Sequence, residues 1–385
     1  MKTKRITALK GIIATLFFFG PFLFQSCSSD DSEVIAEAPE DLSIIINGIL
    51  EDGQSSNQPG LTVLVRKDGN IVYKESKGLA RTQASRPINS DTGFRIGSIT
   101  KTFTALAIMQ LVEQDLISLE DKLLTIVPEL SDAFQDITVA HLLAHRAGLL
   151  DYIDDNKNVT SLDGLTTAQI LDLIPISGLE NLLFPPGSSA EYSNTGYVFL
   201  ALVIERVSGM DYPTYMKTHI FDPIGMNNTF VISENEHLGN ANDNYALNFG
   251  TEIKVKGFNS LIYGASGIVS STNEMNLFVE AVLGNDIIRE ESLQTMVEPL
   301  SSISWLGDYG LGWILGTGTN YWHQEADLTD SNDYWHIGGF DGYRSMLAFN
   351  PDLNLEVVIL TNNGDASQEI SNTIVRKVRE YYKAN

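Results

Sequence analysis

Apolar residues recur along the chain with two different periods. Between residues 40 and 51, Leu42, Ile45, Ile46 and Ile49 fall at helical spacing and predict a first helix with one apolar face. Two runs rich in β-branched residues follow, Leu61–Lys67 and Ile71–Lys77, divided by Asp68-Gly69-Asn70. Asp-Gly between such runs predicts a hairpin. The pattern then turns helical. Thr100–Gln114 is periodic, and shorter helical segments are expected near 137–145, 166–174, 195–208 and 211–220. Toward the C-terminus it returns to strands, at Tyr309–Ile314, Tyr334–Ile337, Tyr343–Asn350 and Leu355–Thr361, the last two joined by Pro351-Asp352-Leu353-Asn354. A closing helix is expected over 367–383.

Strands at both ends with helices between them predict an α/β (α+β) fold. One antiparallel sheet is built from N- and C-terminal strands, flanked by helices and interrupted by an all-helical insertion at about 115–262. A crevice between sheet and insertion is a natural substrate site. The pattern predicts one catalytic domain over 40–385, and no internal repeat is visible.

The first 39 residues read differently. Residues 2–10 carry four basic side chains, residues 11–24 form a short apolar run broken by Gly20 and Pro21, and Gln25-Ser26-Cys27 follows. Basic, apolar, small-residue is the order of an export signal, and the run is too short for a comfortable transmembrane span. Cys27 is the sole cysteine, so no internal disulfide can form. Ending at that cysteine, the segment resembles a bacterial lipoprotein signal. The resemblance implies removal of residues 1–26, lipidation of Cys27 and membrane anchoring in the cell envelope, facing the periplasm or the exterior. The alternative is an ordinary secretory signal with an incidental cysteine. Residues 27–39, polar and acidic from Ser28 to Glu33, read as a tether.

The formal net charge is −24, from 25 basic and 49 acidic residues. Loss of Lys2, Lys4, Arg5 and Lys10 takes the mature chain to about −28. Such a field repels phosphate backbones, so no nucleic-acid partner is expected. Charged residues make up 19% and hydrophobic ones 43% of the chain, a balance that supports a folded core.

Three segments carry chemistry. In Phe94-Arg95-Ile96-Gly97-Ser98-Ile99-Thr100-Lys101, a serine at a helix start lies one turn from a lysine, so a hydroxyl sits beside an amine. The helix N-terminus adds unpaired N–H groups that favour a developing alkoxide, and a serine hydroxyl needs such help to become a nucleophile. Alone, Ser98-x-x-Lys101 reads equally as a capping serine with a surface lysine. In Glu191-Tyr192-Ser193-Asn194-Thr195-Gly196-Tyr197, Tyr192 is a candidate general base and Asn194 a candidate amide that orients substrate and Lys101. A phenol acts as a base only where nearby cations lower its pKa, and Lys101 is the obvious one. The bland alternative is a core tyrosine before a capped helix. In Trp335-His336-Ile337-Gly338-Gly339-Phe340-Asp341-Gly342-Tyr343, glycines allow a substrate carbonyl to approach a strand edge. The Gly339 N–H is a candidate oxyanion donor together with that of Ser98, and His336 is expected to line the cleft opposite Lys101.

In this order and spacing the three segments resemble the motifs of the serine penicillin-recognising superfamily, and most closely its class C β-lactamase, D-Ala-D-Ala carboxypeptidase and esterase branch. The tyrosine of Tyr192-Ser193-Asn194 marks that branch. His141–Leu149, Gly264–Ser271 and Gly310–Trp313 also resemble its landmarks, so the likeness runs over roughly 45–380. It implies a β-lactamase/transpeptidase-like fold. It also implies attack by Ser98 on a carbonyl, proton handling by Tyr192 with Lys101, an oxyanion held by Ser98 and Gly339, and hydrolysis of the acyl-enzyme by water, with no metal or cofactor. The implied substrate is an acyl-D-amino acid peptide first, a small ester next and a β-lactam third. A non-catalytic binding protein on the same fold is the rival reading. One departure stands out: class C β-lactamases carry a lysine where His336 stands. A histidine is mostly neutral at pH 7 unless paired, which disfavours β-lactam hydrolysis.

Other signals carry less. His141 and His145 are four apart on an expected helix, but no third metal ligand accompanies them. His323, Glu325 and Asp327 read as a solvated loop. Gly264–Gly267 precedes a β-like run and so does not read as a phosphate cradle. Trp305, Trp313, Trp322 and Trp335 fit core packing at least as well as a cleft lining.

Overall fold

A computed structural model describes residues 40–81, 85–151, 180–232, 263–316, 332–340, 342–364 and 368–384. The expected signal segment, Cys27, the tether, the helix at 166–174, Trp322 and the 323–327 loop lie outside the described residues.

Leu61–Lys67 (β1) and Asn70–Lys77 (β2) pair antiparallel. Asp68 and Gly69 turn between them at φ 51° and 82°. Two successive left-handed residues match the twist of the flanking strands, which explains the Asp-Gly hairpin. Short strands follow: Leu79–Arg81 (β3) pairs with Arg86–Pro87 (β4). Phe94–Arg95 (β5), Phe230–Val231 (β6) and Ile268–Ser270 (β7) form a small sheet in the order β5-β7-β6. The remaining strands are Ser301–Ile303 (β8), Gly307–Tyr309 (β9), Ile314–Leu315 (β10), Tyr334–Phe340 (β11), Tyr343–Asn350 (β12) and Leu355–Thr361 (β13). The large sheet runs β2-β1-β13-β12-β11-β10-β9-β8 and is antiparallel throughout. The N-terminal hairpin thus docks beside the last strand of the chain, as the strand-helix-strand pattern predicts.

Period-2 alternation splits the side chains of this sheet between its two faces, and Ile303, Tyr309, Ile314, Trp335 and Ala348 form a separate cluster at the β8 end. Leu61, Val63, Val65, Met346, Val357 and Ile359 face helices Glu40–Gly53 (α1) and Gln368–Ala384 (α9), where they meet Leu42, Ile46, Ile374 and Val378. Leu64, Leu347, Val358 and Leu360 face the larger core. Its centre is Thr100–Glu113 (α2), buried along most of its length from Thr100 to Leu111. That helix is buried nearly all round because other elements cover every face, and its N-terminal end buries Thr100, Lys101, Thr102 and Thr104 as well. Around it pack Leu123–Ile126 (α3), Val139–Leu143 (α4), Asn194–Ser208 (α5), Tyr212–Tyr215 (α6), Thr272–Leu283 (α7) and Glu290–Met296 (α8).

Three expectations need correction. The strand expected over Tyr309–Ile314 is two strands, β9 and β10. Between them Gly310-Leu311-Gly312-Trp313 dips onto α2, so closely that a Cβ on Gly312 would lie 2.4 Å from Ala105 Cβ. The helix expected over 211–220 is α6 followed by a π-helical stretch, Met216–Phe221. The segment near 137–145 is helical only to Leu143, and His145 leaves it at φ 57°. Its start is fixed by a capping box, in which His141 N–H donates to Thr138 Oγ1 (3.2 Å) and Thr138 N–H to His141 Nδ1 (3.3 Å).

Candidate active site

Ser98 sits in a single 3-10 turn, Gly97–Ile99, between β5 and α2. Gly97 adopts φ 53° there, and Ile96 N–H donates to Ile268 O (3.1 Å), which ties the turn to β7. Ser98 stays partly exposed while Lys101, one turn on, is fully buried. A buried ammonium is costly unless all its protons find acceptors. Lys101 Nζ has three: Ser98 Oγ at 3.1 Å, Asn194 Oδ1 at 2.7 Å and the Ala265 carbonyl at 2.9 Å. The positive-φ Gly264 beside Ala265 packs on α5, where a Cβ would lie 2.1 Å from Tyr197 O.

Tyr192-Ser193-Asn194 enters the site at the start of α5. Lys101 Nζ lies 4.9 Å from the centre of the Tyr192 ring and 5.5 Å from that of Tyr197. Asp151 Oδ2 accepts both the Asn194 backbone N–H (2.9 Å) and Nδ2 (2.8 Å), so Asn194 turns its carbonyl oxygen toward Lys101. Tyr192 is flanked by Trp305 on one side and by the buried His145 ring on another, with centroids 5.4 and 4.3 Å away. A cleft of about 470 Å³ opens beside Tyr192, lined also by Asp151, Glu191, Leu150, Leu183 and Phe184.

The third element is β11. Gly338 packs face to face on the serine turn: a Cβ there would lie 1.9 Å from Ile96 O and 2.2 Å from Ser345 Oγ. A Cβ on Gly97 would in turn lie 2.7 Å from Gly339 N. Absent side chains therefore let the β11 backbone lie against the residues that carry Ser98. β10 pairs with β11 only at Tyr334 and Trp335, so among the described residues His336–Phe340 has a sheet partner on the β12 side alone. Gly339 is exposed.

His336 departs from expectation. It is 1% exposed and lies beneath the cleft surface rather than lining it. Its Nδ1 donates to the Ile337 carbonyl (2.7 Å), which leaves Nε2 to accept from the Tyr309 hydroxyl (3.1 Å). Burial first, then the Lys101 ammonium, lowers its pKa to about 3. It is neutral at physiological pH and both nitrogens are engaged, because the apolar wall formed by β9 and β11 closes over it.

Ser98, Lys101, Tyr192, Asn194, Gly338 and Gly339 thus gather at one place. Nothing in the sequence assigns Asp151 or Tyr309 a site role, and His145 enters there only as a candidate metal ligand beside His141. His145 and Asp151 stand in the segment after His141, where helical spacing suggested a possible metal pair. Among the described residues no group of three His, Cys, Asp or Glu side chains is arranged to hold a metal.

A family model described as Beta-lactamase matches residues 46–379. The chain is 30% identical over 330 residues to Penicillin-binding protein 4* of Bacillus subtilis, an alignment covering 80% of this chain and 69% of that protein. It is 26% identical over 330 residues to Protein flp of Staphylococcus aureus, covering 82% of this chain and 62% of the relative, which is less than two thirds of its length. Among solved structures, SurE with D-Leu superposes with a TM-score of 0.70 at 25% identity, covering 88% of this chain and 74% of that one.

Proposed function

The chain belongs to the Beta-lactamase family of serine hydrolases, and on that premise we propose that Ser98 opens an amide bond to a D-amino acid through an acyl-enzyme. The observation that carries this reading is the Lys101 ammonium, held between Ser98 Oγ and Asn194 Oδ1 beneath the Tyr192 ring. In this reading Tyr192 takes the Ser98 proton as the oxygen attacks, helped by the ammonium beside its ring. The N–H groups of Ser98 and Gly339 hold the oxyanion. Tyr192 then returns the proton to the leaving amine, and water repeats the sequence on the acyl-enzyme. Substrate reaches Ser98 along the cleft-side edge of β11, opposite β12.

Wall-type peptides ending in D-amino acids, D-Ala-D-Ala among them, are the first substrate class. A relative named for penicillin binding and a neighbour solved with D-Leu support that choice. A neutral, buried His336 gives the third element no cation for a substrate carboxylate, so the C-terminal carboxylate of such a peptide must be held by other groups, and uncharged D-amino-acid amides and esters are the next class, ahead of β-lactams. The proposal includes an envelope location, with Cys27 as the lipid anchor and residues 27–39 as its tether. Side-by-side turnover of a D-Ala-D-Ala peptide, its L-Ala-L-Ala counterpart, p-nitrophenyl acetate and nitrocefin tests the substrate reading. The D-peptide is expected to be cleaved, the L-peptide spared and nitrocefin the slowest of the active substrates. Equal cleavage of both peptides, or nitrocefin as the best substrate, would overturn it.

A further inference from the structure

We propose that His145 and Asp151 are the positioning residues of the second motif, His145 setting Tyr192 through Ser193 and Asp151 setting Asn194. The inference rests on the reading of Ser98, Lys101, Tyr192 and Asn194 given above, and adds two residues that act through them.

Residues 145–151 form a template along which the second motif is laid. Leu183 N–H donates to Gly148 O (2.8 Å), Gly187 N–H to Arg146 O (2.8 Å) and Glu191 N–H to His145 O (3.0 Å). Past the motif, Thr195 Oγ1 donates to Leu150 O (2.7 Å). Between these backbone ties the template uses two side chains, one on each side of Ser193. His145 Nδ1 accepts the Ser193 backbone N–H at 3.1 Å, and its ring stacks on Tyr192 with planes 32° apart. Asp151 Oδ2 accepts both N–H groups of Asn194.

The cost of His145 argues that it is not there for stability. It holds a left-handed backbone, φ 57°, that is uncommon for any residue but glycine. Because Nδ1 accepts, the ring proton is on Nε2, and that atom is buried without a hydrogen-bond partner among the described residues. Both features destabilise a fold. What the ring gains in exchange is a wall against the phenol and a fixed Ser193. Asp151 has a different task. A carboxamide can turn by half a rotation and present Nδ2 instead of Oδ1. Facing Lys101, that turn would set a donor against an ammonium. The carboxylate of Asp151, which only accepts, holds Nδ2 on its own side and leaves Oδ1 for the lysine.

A double-mutant cycle on the full chain tests this, read as the rate at which a fluorophosphonate probe modifies Ser98 and as kcat and KM for p-nitrophenyl acetate. Asn194→Ala and Asp151→Ala are each expected to slow both reactions by about 10- to 100-fold, with kcat changed more than KM. Asp151→Ala placed on Asn194→Ala is expected to add less than about 3-fold, because Asp151 acts through the missing amide. Asp151→Asn keeps an acceptor oxygen and should stay within about 5-fold of wild type. His145→Asn keeps an acceptor at the Nδ1 position and tolerates a positive φ, so it should retain far more activity than His145→Leu. Full additivity of the Asp151 and Asn194 changes, or wild-type rates in Asp151→Ala and His145→Leu, would overturn the inference. Should His145→Leu fail to fold, the Asp151 cycle decides alone. Wild-type rates in Asn194→Ala would instead sink the parent reading of the site, whereas a slow Asn194→Ala beside a fast Asp151→Ala sinks only this one.

Discussion

Gly338 and Gly339 are neighbours in β11, and replacing each by alanine is predicted to have opposite consequences. A Cβ on Gly338 would lie 1.9 Å from Ile96 O, while real Cβ contacts essentially never fall under 3.0 Å. The strand and the serine turn must therefore separate by at least about 1 Å. The same movement breaks the 2.7 Å bond from Ser345 Oγ to Ile96 O, since the new methyl would also crowd Ser345. The gap between the Ser98 and Gly339 N–H groups is what opens. A misplacement of about 1 Å in a catalytic site costs on the order of 100-fold in rate, or about 2.7 kcal/mol of barrier. A Cβ on Gly339 meets only the tip of Arg344, at 3.3 Å, and neither glycine has a positive φ. Gly339→Ala should stay within about 5-fold of wild type, because a flexible side-chain tip can give by a few tenths of an ångström. The assay is stopped-flow release of p-nitrophenol, which separates acylation from turnover. Gly338→Ala acylating at the wild-type rate, or Gly339→Ala losing as much as its neighbour, would refute the packing argument.

Three further outcomes are expected. Tyr192→Phe should lower turnover by about 10²–10⁴ if the phenol carries the proton, and steady-state kcat on any accepted ester checks it. Arg379 pairs with the fully buried Asp333, which Asn350 Nδ2 also holds at 2.7 Å, so Arg379→Ala should cost about 3–5 kcal/mol in urea unfolding by removing the cation from that buried carboxylate. His336 has its pKa lowered to about 3 by burial and Lys101, while an unfolded imidazole takes up its proton near 6.5. Its contribution to stability is therefore whole above pH 6.5 and is lost as pH falls from 6.5 toward 3, at about 1.4 kcal/mol per pH unit. His336→Gln should remove about 2 kcal/mol of the stability difference between pH 6.5 and 5, and denaturant titrations at the two pH values measure it.

Local rules made much of this molecule readable in advance. The Asp68-Gly69 turn, the apolar face of α1 and the alternation in β12 and β13 all follow from periods and turn chemistry. The three-residue spacing of Ser98 and Lys101 likewise implies a hydroxyl beside an amine, and the two atoms lie 3.1 Å apart. What escaped depends on contacts between distant segments. Nothing near Tyr309–Ile314 in sequence says that Gly312 must touch α2. His141 and His145 read as a pair on one helix face, yet the helix ends at Leu143 and sends His145 toward Tyr192. His336 is expected from the sequence to line the cleft, but its Nε2 is taken up by the hydroxyl of Tyr309, 27 positions earlier. Asp151 carries no signal of its own, since a lone carboxylate after an apolar run gives no hint that an asparagine 43 residues on will need it.

The most direct test of the account is the site of covalent modification. Treated with a fluorophosphonate and mapped by peptide mass spectrometry, the folded protein should carry one adduct, on Ser98, and Ser98→Ala should carry none. An adduct on a different serine, or an unmodified Ser98 in protein that remains folded under excess reagent, would contradict the claim that this hydroxyl is the nucleophile.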